Sequence, residues 1–498
     1  MILTELISDL KVNEKKGNLN IDISGISYDS RRVQKNHVFV AVPGLEKDGS
    51  HYIPEAVANG ALCIISESSL DWVDDKIVKI VVPSARIALA CLANKFFDYP
   101  SRKLKVVGVT GTKGKTTASY LIDEIFNSAG FVSGIIGTVE SRIKGRAIPS
   151  KLTTPESLDL QGLLAHMIKA DVTHVTMEVT SHALALDRIY GTEFNVAVHT
   201  NITHDHLDFH GTVDKYAQAK IKLFDYLNKG VKNNSIGIVN VDDEWAGQIL
   251  KTILGKKLTY GIEKSADIIA EDIYVGLLKM SFTLKTPNGS IPIRSDLFGM
   301  FNVYNMLAAA AAGIAFDIDL GIIKKALEKS RPVPGRFEQI NVGQDFKVIV
   351  DFAHTADSLQ KLLETARNIT KNKIILVFGC PGDRDRTKRP IMGTIAANTA
   401  DFSIISTDNP HREEPARIID EIENGLISVG GIEGKNYLKI EGRKTAIRKA
   451  IEMASKDDTV IIAGRGHEKF QDFSGIKIEL DDRETAREYC ERRVRDGI

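Results

Sequence analysis

A glycine-rich turn between an apolar run and a helix-forming segment constrains this chain more than any other feature. Residues 105–117 read K-V-V-G-V-T-G-T-K-G-K-T-T, in which the valines predict a buried strand and a helix is expected to begin near Lys115. Glycines let backbone N–H groups converge on an anion, and a helix N-terminus adds partial positive charge. The turn therefore predicts a binding site for the phosphates of ATP or GTP.

The loop is a variant of the P-loop template, which requires a glycine five residues before the G-K pair. Val109 stands at that position and Gly108 lies one residue earlier. Lys115 is expected to reach the β- and γ-phosphates, and the hydroxyl of Thr116 to bind Mg²⁺. The residues expected to contact the nucleotide across this turn are Gly111, Thr112, Lys113, Gly114, Lys115, Thr116 and Thr117.

Strand and helix patterns alternate through most of the 498 residues, which predicts an α/β protein of several domains. Residues 1–100 are expected to form a small N-terminal domain and residues 101–335 a central P-loop domain with a parallel sheet. Residues 336–498 predict a Rossmann-like, doubly wound C-terminal domain. Within the central region, residues 257–299 alternate around a P-N-G turn, which predicts antiparallel hairpins.

Charge and cysteine usage exclude several classes of partner. The 65 basic and 65 acidic residues cancel, so no overall field favours nucleic acid or an anionic membrane. The longest apolar run, residues 306–316, is about half of the ~20 residues that a membrane span needs. Four scattered cysteines without a C-x-x-C pair, and no signal peptide, fit a cytoplasmic protein, which we expect to be a monomer.

Two segments of the central region are candidates for metal or phosphate chemistry. Glu178 follows an apolar strand, where P-loop enzymes place a metal-binding acid, although a solvated strand-end carboxylate is the alternative. Residues 200–211 read T-N-I-T-H-D-H-L-D-F-H-G and allow a zinc site, but Mg²⁺ or phosphate contact is favoured because they follow a strand of the P-loop sheet. Lys220, on pattern alone, is an ordinary lysine on a helix surface.

Polar clusters follow the predicted strands of the C-terminal region, at the edge where doubly wound sheets bind ligands. They read D-F-A-H-T, G-C-P-G-D-R-D-R, T-D-N-P-H-R-E-E-P and G-R-G-H-E-K. Phosphate-handling residues in two domains predict a reaction assembled between domains. The acceptor of the γ-phosphoryl group stays open at this point: a hydroxyl makes a kinase, water an ATPase and a carboxylate a ligase.

Several motifs together resemble the Mur ligases, ATP-dependent amide-forming enzymes of cell-wall precursor synthesis, and are most similar to the MurE type. The similarity runs nearly end to end. The motifs that carry it are Y-D-S-R-R-V, V-F-V-A-V-P-G, D-G-S-H-Y-I-P-E-A, T-G-T-K-G-K-T-T, T-T-P-E-S, M-E-V-T-S-H-A-L, T-N-I-T-H-D-H-L-D-F-H-G, F-N-V-Y-N, P-G-R-F-E, D-F-A-H-T, F-G-C-P-G-D-R-D-R-T-K-R-P and D-N-P. Lys113 stands where the family usually has Asn.

The resemblance implies ATP and Mg²⁺ as cofactors, and a UDP-linked peptide precursor and a free amino acid as substrates. A substrate carboxylate would take the γ-phosphoryl group, and the amine would attack the resulting acyl phosphate. Lys115 would stabilise the phosphoryl charge, and the implied magnesium positions are Thr116, Glu178, His206 and Lys220, the last as a carbamate. Further implied nucleotide contacts are Asn302, Arg336, Asp351 and His354. Implied contacts to the UDP-linked peptide are Ser30, Thr153, Thr154, Thr180 and Arg188.

The chain departs from the family pattern at the expected amino-acid pocket. Family members that add meso-diaminopimelate typically carry D-N-P-R, whose arginine pairs with the distal carboxylate through two hydrogen bonds. Here His411 takes that position and Arg412 follows it, so L-lysine and diaminopimelate both stay open. The positions that match the pocket are Asp408, Asn409, His411, Arg412, Gly464 and Glu468, and Glu468 is expected to take a distal ammonium.

Three alternatives remain at this level. A pseudomurein peptide ligase of an archaeon would share this architecture with a different acceptor. A folylpolyglutamate synthetase-like ligase would lack the N-terminal D-S-R domain. A catalytically silent nucleotide-binding scaffold is the third, and the complete set of Lys115, Thr116, Glu178, His206 and Lys220 argues against it.

Overall fold

The computed structural model describes residues 1–44, 48–148, 152–276 and 279–496. The chain forms two compact units. The first comprises Met1–Asp272, Thr283–Ile293 and Val303–Glu328, and the second comprises Ile273–Phe282, Arg294–Asn302 and Lys329–Ile498. Each of the predicted N-terminal, central and C-terminal regions carries its own main sheet, which confirms the α/β fold class. The boundaries near residues 100 and 335 stay predictions, because the first two sheets share one compact unit.

The N-terminal region is a small sheet with helices. Its strands are β1 (Glu14–Lys16), β2 (Gly25–Ser27), β3 (His37–Val40), β4 (Ala61–Ser66) and β5 (Val78–Val81). Its helices are α1 (Leu3–Leu6), α2 (Ile53–Ala58), α3 (Ala85–Phe96) and α4 (Pro100–Lys103), with 3₁₀ turns at Ser30–Arg32 and Gly49–Tyr52. The strand order is β1-β5-β4-β3-β2, and pairs from β2 to β5 are parallel. β3, β4 and β5 are largely buried, whereas β1 is exposed at the edge of the sheet.

The central region carries a larger sheet with the P-loop strand in its interior. Its strands are β6 (Lys105–Thr110), β7 (Ser133–Ile136), β8 (Ser141–Ile143), β9 (Arg146–Ile148), β10 (His174–Glu178), β11 (Val196–His199), β12 (Ile236–Asn240), β13 (Lys256–Gly261), β14 (Ile268–Val275), β15 (Met280–Thr286) and β16 (Gly289–Ser295). Its helices are α5 (Lys115–Ser128), α6 (Ser157–Lys169), α7 (Ser181–Ala185), α8 (Leu207–His210), α9 (Val213–Lys229), α10 (Ala246–Thr252), α11 (Met300–Ala315) and α12 (Leu320–Lys329). The strand order is β16-β15-β14-β13-β12-β11-β6-β10-β7-β8-β9.

The register of this sheet gathers three strand ends at one edge. β6 pairs in parallel with β10 and with β11, so Val109 lies opposite Glu178 and Thr110 lies opposite His199. Because parallel strands all point the same way, the loops that follow them meet at the carboxyl edge of the sheet. Around the predicted P-N-G turn, β15 and β16 are sheet neighbours joined by two residues, as a hairpin requires. The pairing of β13 with β14 differs from the prediction: it is parallel, since alternating burial specifies a half-buried strand but not its direction.

The C-terminal region is a doubly wound sheet, as predicted. Its strands are β17 (Glu338–Gln339), β18 (Lys347–Asp351), β19 (Ile374–Phe378), β20 (Phe402–Ile405), β21 (Tyr437–Lys439) and β22 (Thr459–Ala463), in the order β17-β18-β22-β19-β20-β21. Its helices are α13 (Ala356–Arg367), α14 (Lys388–Thr399), α15 (Pro415–Ile427), α16 (Arg443–Met453) and α17 (Asp482–Asp496). A hairpin of β23 (Phe470–Phe473) and β24 (Ile476–Glu479), which the sequence patterns did not indicate, lies outside this sheet.

Alternate residues of the C-terminal strands build two separate cores. Ile349 and Leu376 face a cluster with the apolar sides of α13, α14 and α15, whereas Val350 and Val377 face a second cluster with α16 and α17. Successive side chains of a strand point to opposite faces, so a sheet covered on both sides must be apolar throughout. Within the described part of the chain, no helix combines the length and the apolar character needed to cross a membrane.

Candidate active site

The P-loop adopts the turn predicted from its glycines. Gly111 and Gly114 have φ of +153° and +84°, and α5 begins at Lys115. A Cβ atom on Gly111 would lie 1.8 Å from Oγ1 of Thr200, and one on Gly114 would lie 2.4 Å from Oδ1 of Asn305. The close approach of neighbouring chain, together with the backbone conformation, therefore requires glycine at both positions.

Two residues outside the loop brace its backbone. Thr112 and Lys113 donate their N–H groups to the carbonyl oxygen and the Oδ1 atom of Asn201, at 2.7 and 3.0 Å. The hydroxyl of Thr200 donates to the carbonyl oxygen of Lys113 at 2.6 Å. Both residues belong to the T-N-I-T-H-D-H-L-D-F-H-G motif, which by itself assigned them no role. Their position directly after a strand of the P-loop sheet could have indicated that they contact the P-loop.

Two lysines converge on one carbonyl of the loop. Lys115 donates from Nζ to the carbonyl oxygens of Gly111 and Thr112, at 2.8 and 3.0 Å. Lys220 on α9 donates to the same Gly111 oxygen at 2.7 Å, and its Nζ lies 4.6 Å from the ring centre of Tyr216. Lys220 is only 2 % exposed, so the surface position expected from pattern alone is wrong. Burial, followed by the charge of Lys115, lowers the pKa of Lys220 well below its ordinary value.

Glu178 is buried at the end of β10 and accepts three hydrogen bonds. Its Oε2 atom accepts from the hydroxyls of Thr116 and Thr138, both at 3.0 Å, and its Oε1 atom accepts from the N–H of Thr138 at 2.8 Å. The alternative of a solvated strand-end carboxylate is therefore wrong, since Glu178 is 1 % exposed. The sequence patterns missed Thr138, which follows β7.

Oxygen ligands of Thr116 and Glu178 suit Mg²⁺. A carboxylate offers about four lone-pair positions, and the three bonds to Glu178 leave one for a cation. Mg²⁺ usually keeps several waters and takes one or two carboxylates together with phosphate oxygens. His206 lies at the N-terminus of α8 with 46 % of its side chain exposed, and its ring centre is 4.9 Å from that of His182. Among the described residues no three His, Cys, Asp or Glu side chains group as metal ligands, so the zinc alternative for residues 200–211 has no geometric support.

The implied contacts to a UDP-linked peptide lie beside Glu178, with one exception. The hydroxyl of Thr154 donates to the backbone oxygen of Glu178 at 2.8 Å and accepts from the N–H of Thr180 at 3.1 Å. Arg188 pairs with Glu156 at 2.8 Å, and Thr153 bonds to Thr138 at 3.2 Å between hydroxyl oxygens. Ser30 is buried in the N-terminal region, where its hydroxyl donates to Glu55 at 2.5 Å.

In the second compact unit, the implied nucleotide contacts gather mainly at the end of β18. Asp351 accepts from the N–H groups of Phe337 and Ala353, at 2.7 and 2.8 Å. The guanidinium of Arg336 lies 4.6 Å from the ring centre of Phe352, and Nδ1 of His354 is 2.8 Å from the carbonyl oxygen of Phe352. Asn302, on α11, donates from Nδ2 to the carbonyl oxygen of Phe298 at 2.7 Å.

The expected amino-acid pocket brings two carboxyl groups together at the carboxyl edge of the C-terminal sheet. Asn409 donates from Nδ2 to Glu468 at 2.6 Å. A Cβ atom on Gly464 would lie 2.5 Å from Oδ2 of Asp408, and this oxygen has no hydrogen-bond partner among the described residues. Burial, followed by the charge of Asp408, raises the pKa of Glu468 to about 7.

A buried charged cluster that the sequence analysis did not identify lies beside this pocket. Arg443 and Arg465 both bond to Asp482, at 2.8 and 3.3 Å, and none of the three is exposed. Nε of Arg465 is 3.8 Å from Oε2 of Glu468. Arg465 stands in the G-R-G-H-E-K segment between two residues that were singled out, which was the available signal.

His411 and Arg412 occupy different surroundings at this pocket. Nδ1 of His411 lies 3.6 Å from Oδ2 of Asp472, and the backbone of His411 bonds to Asp472 and Ser474. The side chain of Arg412 is 70 % exposed and donates to Asp383 at 2.8 Å. Arg412 therefore takes part in a surface ion pair, and its role in place of the D-N-P-R arginine stays a prediction.

Three family models match this chain. The Mur ligase middle domain matches residues 109–313, the Mur ligase glutamate ligase domain residues 335–466, and the Mur ligase family catalytic domain residues 22–97. The UDP-N-acetylmuramoyl-L-alanyl-D-glutamate–2,6-diaminopimelate ligase of Syntrophomonas wolfei is 42 % identical, over 99 % of this chain and 100 % of the relative. The enzyme of the same name from Clostridium tetani is 41 % identical, over 99 % of each chain. A solved structure of a ligase of this name is 31 % identical, covers 99 % of each chain and has a TM-score of 0.69.

Proposed function

Because this chain belongs to the Mur ligase family of ATP-dependent amide-forming ligases, we propose that it adds a diamino acid to UDP-N-acetylmuramoyl-L-alanyl-D-glutamate. The names of the relatives support 2,6-diaminopimelate as the amino acid. The proposal includes Mg²⁺ as the metal cofactor and the cytoplasm as the location, as a monomer without nucleic-acid or membrane partners. Relatives over 40 % identical along the whole chain favour this acceptor over a pseudomurein precursor or a folate.

One observation carries the proposal: the start of α5 after the P-loop and the implied substrate loop both contact Glu178, a buried residue. Thr116 donates to the carboxylate of Glu178, and Thr154, in the T-T-P-E-S segment, donates to its backbone oxygen. A γ-phosphoryl group at the loop and a peptide carboxylate at residues 153–157 would thus be near neighbours. Holding two reactants close lowers the entropic part of a barrier.

The reaction follows from these positions. The peptide carboxylate attacks the γ-phosphorus, the bond to the bridging oxygen breaks, and ADP leaves while an acyl phosphate forms. The amine of the amino acid then attacks the acyl carbon, loses a proton, and expels phosphate to give the amide. Backbone N–H groups of the P-loop and the Lys115 ammonium would stabilise negative charge on the transferred group.

Magnesium, held by Thr116 and Glu178, would neutralise phosphate charge when bound. For Lys220 we propose carbamylation. Its low pKa favours the neutral amine, the form that adds to CO₂ with loss of one proton, and the product is an anion beside the phosphate site. The placement of His206 as a further ligand stays part of the proposal.

The amino-acid pocket supports recognition of an ammonium group. Asp408 is a buried acceptor, and Glu468, with 32 % of its side chain exposed, is a second acceptor that Asn409 orients. L-lysine is a second candidate, because His411 beside Asp472 offers no planar two-donor fork for a distal carboxylate.

A ligation assay read by mass spectrometry tests the proposal. Purified protein, ATP, Mg²⁺ and UDP-N-acetylmuramoyl-L-alanyl-D-glutamate are incubated with meso-diaminopimelate or L-lysine. A product one amino acid heavier, with ADP formed only when both substrates are present, is expected. ADP formation at the same rate without either substrate would mean an ATPase.

The variant His411→Arg separates the two amino acids. A bidentate arginine–carboxylate contact contributes about 1.5–3 kcal/mol, so the ratio of kcat/KM for diaminopimelate to that for lysine should rise by roughly tenfold or more. Arg417→Ala is the matched control and should leave this ratio unchanged, because Arg417 is an exposed arginine of α15 that pairs with Glu421. An unchanged ratio in His411→Arg would show that this position does not select the amino acid.

A further inference from the structure

Thr138 contacts both Glu178, beside the P-loop, and the loop implied in UDP-peptide binding, although it belongs to no quoted sequence motif. It follows β7 and lies in a loop at the carboxyl edge of the central sheet. Its N–H donates to Oε1 of Glu178 at 2.8 Å, and its hydroxyl lies 3.0 Å from Oε2 of Glu178 and 3.2 Å from the hydroxyl of Thr153. One side chain therefore touches the carboxylate beside the P-loop and the loop implied in UDP-peptide binding.

The chemistry of the groups fixes the direction of these hydrogen bonds. A carboxylate only accepts, and a threonine hydroxyl has one hydrogen to donate. Thr138 must therefore donate to Glu178, so it accepts the hydrogen of the Thr153 hydroxyl. Thr116 also donates to Oε2 of Glu178. The resulting chain runs from Thr153 through Thr138 to Glu178, where it meets the hydroxyl of the P-loop residue.

The backbone before Thr138 is shaped to allow this contact. A Cβ atom on Gly137 would lie 2.5 Å from Oε1 of Glu178, so the absence of a side chain lets the main chain approach the carboxylate. Gly137 and Thr138 together enclose one side of Glu178. Any shift of that carboxylate is passed to Thr138 by two hydrogen bonds, one from the backbone and one from the side chain.

We propose that Thr138 is a positioning residue that couples nucleotide binding at Glu178 to UDP-peptide binding at Thr153. The inference rests on the proposed function, which supplies the two ligands. A cation beside Glu178 would bind the same carboxylate oxygens that accept the hydrogen bonds of Thr138. The orientation of the Thr138 hydroxyl would change with them, and this hydroxyl accepts the hydrogen bond of Thr153. Each ligand therefore changes the affinity for the other by the same factor, as linkage requires.

Calorimetric affinities for UDP-N-acetylmuramoyl-L-alanyl-D-glutamate, with and without Mg²⁺ and a non-hydrolysable ATP analogue, test the coupling. In the natural protein the two affinities should differ by about fivefold or more. Thr138→Val keeps the side-chain shape and the backbone N–H but removes the hydroxyl. In this variant the two affinities for the UDP-peptide should differ by less than about twofold, so that little coupling remains. Thr138→Ser, which restores a hydroxyl, should restore the difference.

Thr173→Val is the matched control. Thr173 directly precedes β10, at the end of the strand away from Glu178, and its hydroxyl lies 3.2 Å from the carbonyl oxygen of Val132. The coupling should survive the removal of this hydroxyl. If Thr138→Val does not fold, Thr153→Val breaks the same chain at its other end and should also remove the coupling. Coupling that persists in the folded variant, or that is absent from the natural protein, overturns the proposal. Failure of the natural protein to bind the UDP-peptide at all would instead refute the proposed function.

Discussion

The proposed phosphate site of the central sheet and the proposed amino-acid pocket of the C-terminal sheet differ in how their charged groups are paired. At the P-loop, the buried charged side chains have protein partners: Lys220 donates to the carbonyl oxygen of Gly111, and Glu178 accepts from Thr116 and Thr138. In the pocket, Oδ2 of the buried Asp408 has no hydrogen-bond partner among the described residues, and 32 % of the Glu468 side chain is exposed. Both sites lie at the carboxyl edge of a largely parallel sheet.

This difference indicates where substrate choice resides. The P-loop backbone recognises phosphate through geometry, and the charged side chains beside it already have protein partners. A buried carboxylate oxygen without a protein partner instead favours a ligand that supplies one, because an uncompensated buried charge costs free energy. We therefore expect variation in the amino acid added to arise in the second site, while the first keeps its ATP chemistry.

The largest effect should come from Lys115→Ala, which breaks the phosphate site alone. Removal of one preorganised donor to developing charge costs roughly 10²–10³ in kcat. ADP formation with both substrates present measures the loss, and the affinity for the free amino acid should not change. Lys105→Ala, an exposed lysine at the start of β6, is the control and should keep full activity. Equal losses in both variants would contradict the role of Lys115.

The amino-acid pocket should be broken selectively by Gly464→Ala. Gly464 and Gly475 have φ of +119° and +90°, but only a Cβ on Gly464 meets a neighbour, Oδ2 of Asp408. Alanine at either position should lower the free energy of unfolding by about 1–2 kcal/mol. Only Gly464→Ala should also raise the KM for the amino acid, on the order of tenfold, because it displaces a ligand-facing carboxylate. Denaturant unfolding measures the stability and steady-state kinetics the KM, with Gly475→Ala as the control. A raised KM for the amino acid in both variants would contradict this expectation.

A smaller, pH-dependent effect should follow from Glu468. Its pKa of about 7 means that the folded state favours the protonated form. The contribution of this group to folding stability is therefore fully present below the ordinary carboxyl pKa and is lost as pH rises through about 7. Glu468→Gln should therefore gain in Tm over the natural protein above pH 7, with the gain disappearing toward pH 5. The KM for the amino acid should rise as pH falls below 7 in the natural protein and stay flat in the variant. Parallel pH profiles for the two proteins would contradict this role.

Sequence patterns predicted the elements whose information is local. The P-loop, the strand before Glu178 and the polar loops after the C-terminal strands each depend on a short run of residues, and the structure confirms their strands and helices. Lys220 was misplaced because its neighbours were read as a surface pattern. Its spacing of four from Tyr216 and from Phe224, both buried, indicates the inward face of α9.

Contacts between distant loops could not be predicted. Thr138 and Glu178 are 40 residues apart in the sequence, and only the pairing of the strands in the sheet brings them into contact. The same holds for the pairing of Arg412 with Asp383, which are 29 residues apart and meet only because two loops follow neighbouring strands. Side-chain partners across loops depend on register and burial, which a single sequence does not specify.

Oxygen-isotope transfer tests the central claim most directly, namely that the peptide carboxylate accepts the γ-phosphoryl group. The D-glutamyl carboxylate to be ligated is labelled with ¹⁸O in UDP-N-acetylmuramoyl-L-alanyl-D-glutamate, and the phosphate released during ligation is analysed by mass spectrometry. When the amine attacks the acyl phosphate, the C–O bond breaks and the phosphate leaves with the bridging oxygen of that carboxylate, so one ¹⁸O atom is expected in each phosphate. Phosphate without the label, released while the amide product forms, would contradict it.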